Sequence, residues 1–224
     1  MPRSCLGQIG MPMRPGSSSP GPASAVTVWR ISLQVNHVAL WSWPVRSRSM
    51  STMAIDVQNL TIRTYPDPCL RGKAAEVDPT SDEVQQVAAR MIQLMHQANG
   101  AGLAAPQVGL SWRLFVTRNP DSEDGGLVWA NPVVTPLESP PEPDTEGCLS
   151  LPGIEVEMTR PSRVRISAVD PSGTRFEVES GLMARVWQRA VDHLDGVLII
   201  DRMSPMERIK HRRQIKALKK SSAS

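Results

Sequence analysis

The spacing of apolar residues changes period twice along this chain, and this restricts the fold more than any single residue does. Val84, Val87, Ala88, Met91, Leu94, Met95 and Ala98 recur at helical intervals. Thr80 and Glu83 ahead of them have capping-box spacing, and Asn99-Gly100 supplies a stop signal. From 110 to 180 the pattern becomes short β-prone runs: Leu114-Phe115-Val116, Leu127-Val128-Trp129, Val133-Val134, 154–158 and 164–169. Pro171-Ser172-Gly173 then reads as a turn into a run over 175–178. Helical spacing returns with Leu182, Met183, Val186, Trp187, Ala190 and Leu194, between Ser180 as N-cap and Gly196 as terminator. Helix, antiparallel-type strands, helix: this order predicts an α+β fold, not a parallel α/β sheet.

The 224 residues suit one domain with dispensable ends. Residues 1–53 contain no Asp or Glu, carry Arg3, Arg14, Arg30, Arg46 and Arg48, and are rich in Ser, Pro and Gly. Such a stretch reads as a disordered leader, either an organelle transit peptide or the product of a mis-assigned start ahead of Met50 or Met53. The predicted division is a leader over 1–53, a folded domain over 54–205 and a basic helix or tail over 206–224. No run approaches the roughly 20 apolar residues of a membrane span, so a soluble body is expected. The tail carries Arg208, Lys210, Arg212, Arg213, Lys216, Lys219 and Lys220 among Met206, Ile209, Ile215 and Leu218. This is either a solvated face or a surface for an anionic partner.

Cys5, Cys69 and Cys148 form no C-x-x-C pair and are too few for a disulfide framework. Cys69 follows Pro66-Asp67-Pro68 and reads as a small residue packed near a turn. Three other segments carry chemistry. Gly100 to Gly109 is a small-residue loop whose glycines allow close backbone approach and whose Gln107 supplies amide donors. Glu146-Gly147-Cys148-Leu149-Ser150 holds a thiol in a tight segment. Gln188 to Gly196 is a helix with Arg189 and His193 one turn apart, where a metal-hydrolase helix of the H-E-x-x-H kind has two imidazoles and a Glu.

In order and spacing these segments resemble the three motifs of peptide deformylases, over roughly residues 55–210. The resemblance implies a peptide-deformylase-like α+β fold with antiparallel strands around a central motif-bearing helix. It implies that Cys148 and His193 correspond to ligands of a divalent metal, typically Fe(II). It places Gln107 and the backbone N–H of Leu149 at the oxyanion positions, and Gly102 where the substrate backbone is met. It also implies N-formyl-methionyl nascent peptides as substrate and, for the tail, docking on the ribosome. Two positions depart from the pattern. Arg189 stands at the first histidine ligand, and Ala190 at the general acid/base glutamate.

Arginine is cationic at every accessible pH and offers no lone pair, so Arg189 is not a ligand. Two ligands would remain where a catalytic site normally has three, and weak or absent metal binding is expected. Asp192 should point away from the 189/193 face, and neither Asp195 nor His37, His96 or His211 falls in a motif. Taken with the resemblance, these departures imply that the chain as written is not an enzyme, while retaining binding to formyl-Met peptides or the ribosome. The alternative is a working cytoplasmic or organellar deformylase that removes the formyl group from nascent N-terminal methionine.

Overall fold

The computed structural model describes residues 55–119, 122, 123 and 125–221. Cys5 and the leader expected over 1–53 lie outside the described residues.

Seven strands and five α-helices follow in chain order: α1 (Asp82–Gln97), β1 (Gly102–Ala104), β2 (Leu114–Arg118), β3 (Gly126–Pro136), β4 (Pro141–Gly147), β5 (Glu155–Pro161), β6 (Val164–Val169), β7 (Arg175–Ser180), α2 (Ala184–Leu194), α3 (Ile199–Arg202), α4 (Pro205–Lys210) and α5 (Arg212–Ser221). Strands β1-β2-β3-β6-β7 form one antiparallel sheet, and β4 pairs with β5 in a second. The α+β arrangement expected from the alternating periods is present.

Strand geometry explains where the helices sit. Successive side chains on a strand point to opposite faces. Leu114 and Val116 of β2 join a buried cluster with Val87, Met91 and Met95 of α1. Phe115, between them, joins Trp129 of β3 and Trp187, Ala190 and Leu194 of α2 in a second cluster. The two helices therefore cover opposite faces of the sheet. The ring of Trp129 lies 5.8 Å from Phe115, 5.3 Å from Phe176 and 5.1 Å from Trp187, a contact set that fixes α2 against three strands. A third cluster packs Leu151, Ile154, Val156 and Met158 against Leu198, Ile199, Ile200 and Met203.

Several boundaries differ from the sequence expectation for local reasons. Ser81, not Thr80, caps α1: its Oγ accepts from the Val84 N–H, while the Thr80 hydroxyl donates to Asp78. Ser180 ends β7, and α2 begins at Ala184 without a side-chain cap. Leu182, assigned to the apolar face of α2, is instead 91% exposed in the preceding turn. Runs 127–129 and 133–134 are one strand, β3, kinked where Asn131 takes a positive φ of 50° and its amide bridges the Val77 backbone. Strands β1 and β4 went unanticipated. The former is three residues long, and the latter, Pro-Glu-Pro-Asp-Thr-Glu-Gly, has no apolar alternation. In the tail, Ile215 and Leu218 of α5 pack on the third cluster, whereas Met206 and Ile209 of α4 are exposed.

Candidate functional site

The chain end of β4 delivers Cys148 to the surface of α2. A turn follows at once, closed by the Leu151 N–H donating to the Cys148 carbonyl. The Cys148 Sγ lies 3.2 Å from Nε2 of His193, which projects from the last turn of α2 and is 2% exposed. Gln107 sits in a short 3-10 turn after β1, locked by its Oε1 accepting from the Ala104 N–H at 2.9 Å. Its Nε2 donates to Ser150 Oγ at 3.1 Å and points at Cys148 Sγ at 3.7 Å. Three segments distant in sequence thus meet at one thiol.

Of these groups, Gln107 and Cys148 border a cleft of about 400 Å³ that Gly100, Gly102, Leu149 and Arg189 also line. Two glycines keep it in shape. A Cβ on Gly100 would lie 2.8 Å from Leu149 Cδ1, and one on Gly102 would lie 3.1 Å from both the Val116 carbonyl and Val186 Cγ1 of α2. The close neighbours that exclude a side chain at these two glycines are α2, β2 and Leu149. The Leu149 N–H makes no hydrogen bond among the described residues and remains open as a donor.

Charge around the thiol is unbalanced. Burial pushes the Cys148 thiol up, against hydrogen bonds from the Ser150 and Leu151 backbone and the Arg189 charge that favour the thiolate. Burial, aided by the Arg189 and Arg160 cations, lowers His193 to about 4, so its imidazole is neutral at pH 7. Its buried Nδ1 has no partner among the described residues. Arg189 is half-buried, lines the cleft, and makes no hydrogen bond or ion pair among the described residues. Ala190 does not line the cleft; it is buried in the Trp129–Trp187 cluster.

Behind the cleft the chemistry is the reverse. Arg160 of β5 grips Glu146 with two hydrogen bonds, at 2.6 and 2.9 Å, and donates to Asp192 of α2 at 2.8 Å. Arg185 donates to Glu146 at 3.0 Å, and Arg202 to Asp192 at 2.8 Å. Asp192 does point away from the cleft. Glu146 is thus held by two arginines, and Gln188 is committed to the Pro161 and Ala184 carbonyls. Asp195 bonds Arg113, His96 meets the Gly125 carbonyl, and His211 bonds Gln214 and Glu207. Sequence reasoning missed Arg160 and Ser150. Arg160 had a signal: it shares the inward parity of Val156 and Met158 on β5, where a charge must be paired.

The sequence profile described as polypeptide deformylase matches residues 59–209. The chain belongs to the polypeptide deformylase family. A peptide deformylase of Acinetobacter baumannii is 42% identical over 160 residues, spanning 71% of this chain and 91% of the relative. Peptide deformylase 1B, chloroplastic/mitochondrial, of Arabidopsis thaliana is 41% identical over 174 residues, 75% of this chain and 63% of the relative. Among solved structures, a plant peptide deformylase, PDF1B, superposes with a TM-score of 0.69 at 39% identity, covering 73% of this chain and 91% of that one. A peptide deformylase from Plasmodium falciparum gives 0.68 at 34% identity, covering 72% and 96%.

These relatives overturn the expectation that the chain is not an enzyme. That expectation rested on two adjacent side chains of α2. Family likeness extends over most of the chain, and the relatives bear the name of a hydrolase. The peptide deformylase family is metal-dependent. Here the donor set is short: among the described residues no three His, Cys, Asp or Glu side chains converge on one point. Cys148 and His193 face each other, and Arg189, which lines the same cleft, has no lone pair to offer a metal. The residues present do not complete a metal site of the usual kind. No helix among the described residues is long and apolar enough to cross a membrane.

Proposed function

We propose that this chain is a peptide deformylase, hydrolysing the formyl group from the N-terminal methionine of newly made proteins. One observation carries the reading: Gln107, Cys148 and Leu149 line one cleft, and His193, from a third segment, is buried against the Cys148 thiol, all inside the span that matches the family.

In this reading the cleft's own residues bind and polarise the substrate. Gln107 Nε2, held rigid through its Oε1, exchanges its long contact to sulfur for the formyl oxygen. The open Leu149 N–H supplies the second donor, and fixed donors of this kind stabilise the charge that develops on that oxygen. Gly102, on the edge strand β1, meets the substrate backbone. Cys148 and His193 are the residual metal ligands, Arg189 occupies the lost ligand position without serving as one, and Ala190 occupies the acid/base position without a proton to move. Metal is held weakly, both for want of a third donor and because His193 Nδ1 has no partner to orient the ring. The basic helix α5 faces the ribosome as a polyanion. The cytoplasm is the compartment, or an organelle as for the Arabidopsis relative if the leader acts as a transit peptide.

The test is formate release from an N-formylmethionyl tripeptide by the full chain, with the N-acetyl peptide as control. We expect release from the formyl peptide alone, and a loss of about 100-fold or more in Gln107→Leu, the scale of removing one oxyanion donor. Equal release by Gln107→Leu, or none by the unmodified chain under any metal supply, would overturn the proposal.

A further inference from the structure

The cleft contains a cation with nothing to neutralise it. Arg189 lines the cleft, half-buried, without a hydrogen bond or ion pair among the described residues. Every carboxylate on or beneath α2 is already engaged: Glu146 by Arg160 and Arg185, Asp192 by Arg160 and Arg202, Asp195 by Arg113. The one carboxylate that lines the cleft itself, Glu155, is exposed at its rim and forms no ion pair with Arg189.

We propose that the cleft is a binding site for a monocarboxylate with a short apolar tail, its carboxylate paired with the Arg189 guanidinium and the open Leu149 N–H. The planar guanidinium fork matches a carboxylate in a two-point geometry that an ammonium cannot reproduce. Among the described residues Arg189 is the one cation lining the cleft, which suits a monoanion and leaves a phosphate dianion half-compensated. Beside the polar groups of Asn99, Gln107 and Glu155, one stretch of the lining, Leu149, Leu151, Pro152 and Ile154, is apolar and faces an aliphatic chain. At about 400 Å³ the cleft has room for such a ligand beside the ordered donors. The site shares its cleft and the Leu149 N–H with the proposed hydrolysis, and formate, the product of that reaction, is the smallest member of the ligand class; the Arg189 contact is what the inference adds.

The experiment is calorimetric titration of the full chain with sodium formate, sodium hexanoate and sodium phosphate. It is run at constant ionic strength set by chloride and in excess chelator, so that carboxylate held by a metal does not contribute. We expect hexanoate to bind several-fold more tightly than formate, through burial of its tail. Arg189→Gln should weaken both by at least about tenfold, the scale of a lost charge-assisted hydrogen bond. Arg189→Lys should recover only part of the affinity. Heats no greater than those of chloride, equal binding by Arg189→Gln, or phosphate binding as tightly as hexanoate would each overturn the proposal. Formate release from the formyl peptide is scored separately: a chain that binds carboxylate without turning over, or the converse, shows which of the two readings has failed.

Discussion

The two faces of α2 form a contrast within one helix. On the back face, Asp192 and Arg185 belong to a buried network in which each charge has an opposite partner, and Arg160 alone makes three hydrogen bonds to two carboxylates. On the front face, among the described residues, Arg189 is unpaired, His193 has an orphaned ring nitrogen, and the two ligand-type groups lack a third. A buried network of this kind tolerates no missing member, since removing one leaves another charge desolvated and alone. The open face carries no such penalty. The architecture that places the site and the chemistry within it are therefore separable, which explains how the domain keeps its fold with Arg189 and Ala190 in place.

The largest effect expected from completing the front face is on rate. Under the proposed roles of positions 189 and 190, Arg189→His/Ala190→Glu adds a third ligand and an acid/base group together, and formate release should rise by about 100- to 10,000-fold, the usual contribution of general acid–base catalysis. Because Ala190 is buried in the Trp129–Trp187 cluster, thermal denaturation of the same variant checks that the new carboxylate is accommodated. No gain in a variant that melts like the parent would break the assignment of these two positions.

Disrupting the back face should cost stability. Arg160→Met leaves Glu146 buried and unpaired by its main partner, and we expect a loss of about 3–5 kcal/mol in urea unfolding. A loss below about 1 kcal/mol would mean that the network is solvated and does not hold α2.

Acid should act on the front face through His193. Its folded pKa, about 4, lies below the unfolded value near 6.5. Between these values the unfolded chain binds the extra proton, so stability is full above pH 6.5 and falls as pH drops towards 4. For the metal-free chain the fall amounts to about 3 kcal/mol from this group. His193→Gln should flatten that slope. The same slope in the variant would assign the acid sensitivity to other groups.

How far these faces could be read from sequence depends on what made each residue visible. Apolar period exposed α1, α2 and the central strands, because their burial parity is written in Val, Leu, Ile and Met. It missed β4, whose residues are Pro, acid and Gly and whose pairing with β5 follows from tertiary context. Cys148, His193 and Gln107 were legible as chemistry at characteristic spacing. Their company was not: Ser150 holds the Gln107 amide and Arg160 holds Glu146 across 43 and 14 residues of chain. No local pattern encodes such pairings. The inference that the chain is not an enzyme read two positions correctly as side chains but gave them more weight than the rest of a family-wide site.

The smallest expected effect is also informative. Arg189→Gln removes an unpartnered cation, so folding stability should change by no more than about 0.5 kcal/mol. A loss of 2 kcal/mol or more would show that Arg189 is bound into the fold and that the two faces are not so different.

Metal affinity tests the contrast most directly. Titration of Ni(II), as a redox-stable divalent probe, into the full chain and into Arg189→His compares two ligands with three on an otherwise unchanged helix. Loss of an outer-shell partner alone typically costs 10- to 100-fold in affinity, so a missing ligand should cost at least about 100-fold. The account predicts that Arg189→His binds one ion at least that much more tightly than the unmodified chain. Equal, tight, one-to-one binding by both would contradict it, and would mean that the front face is already complete.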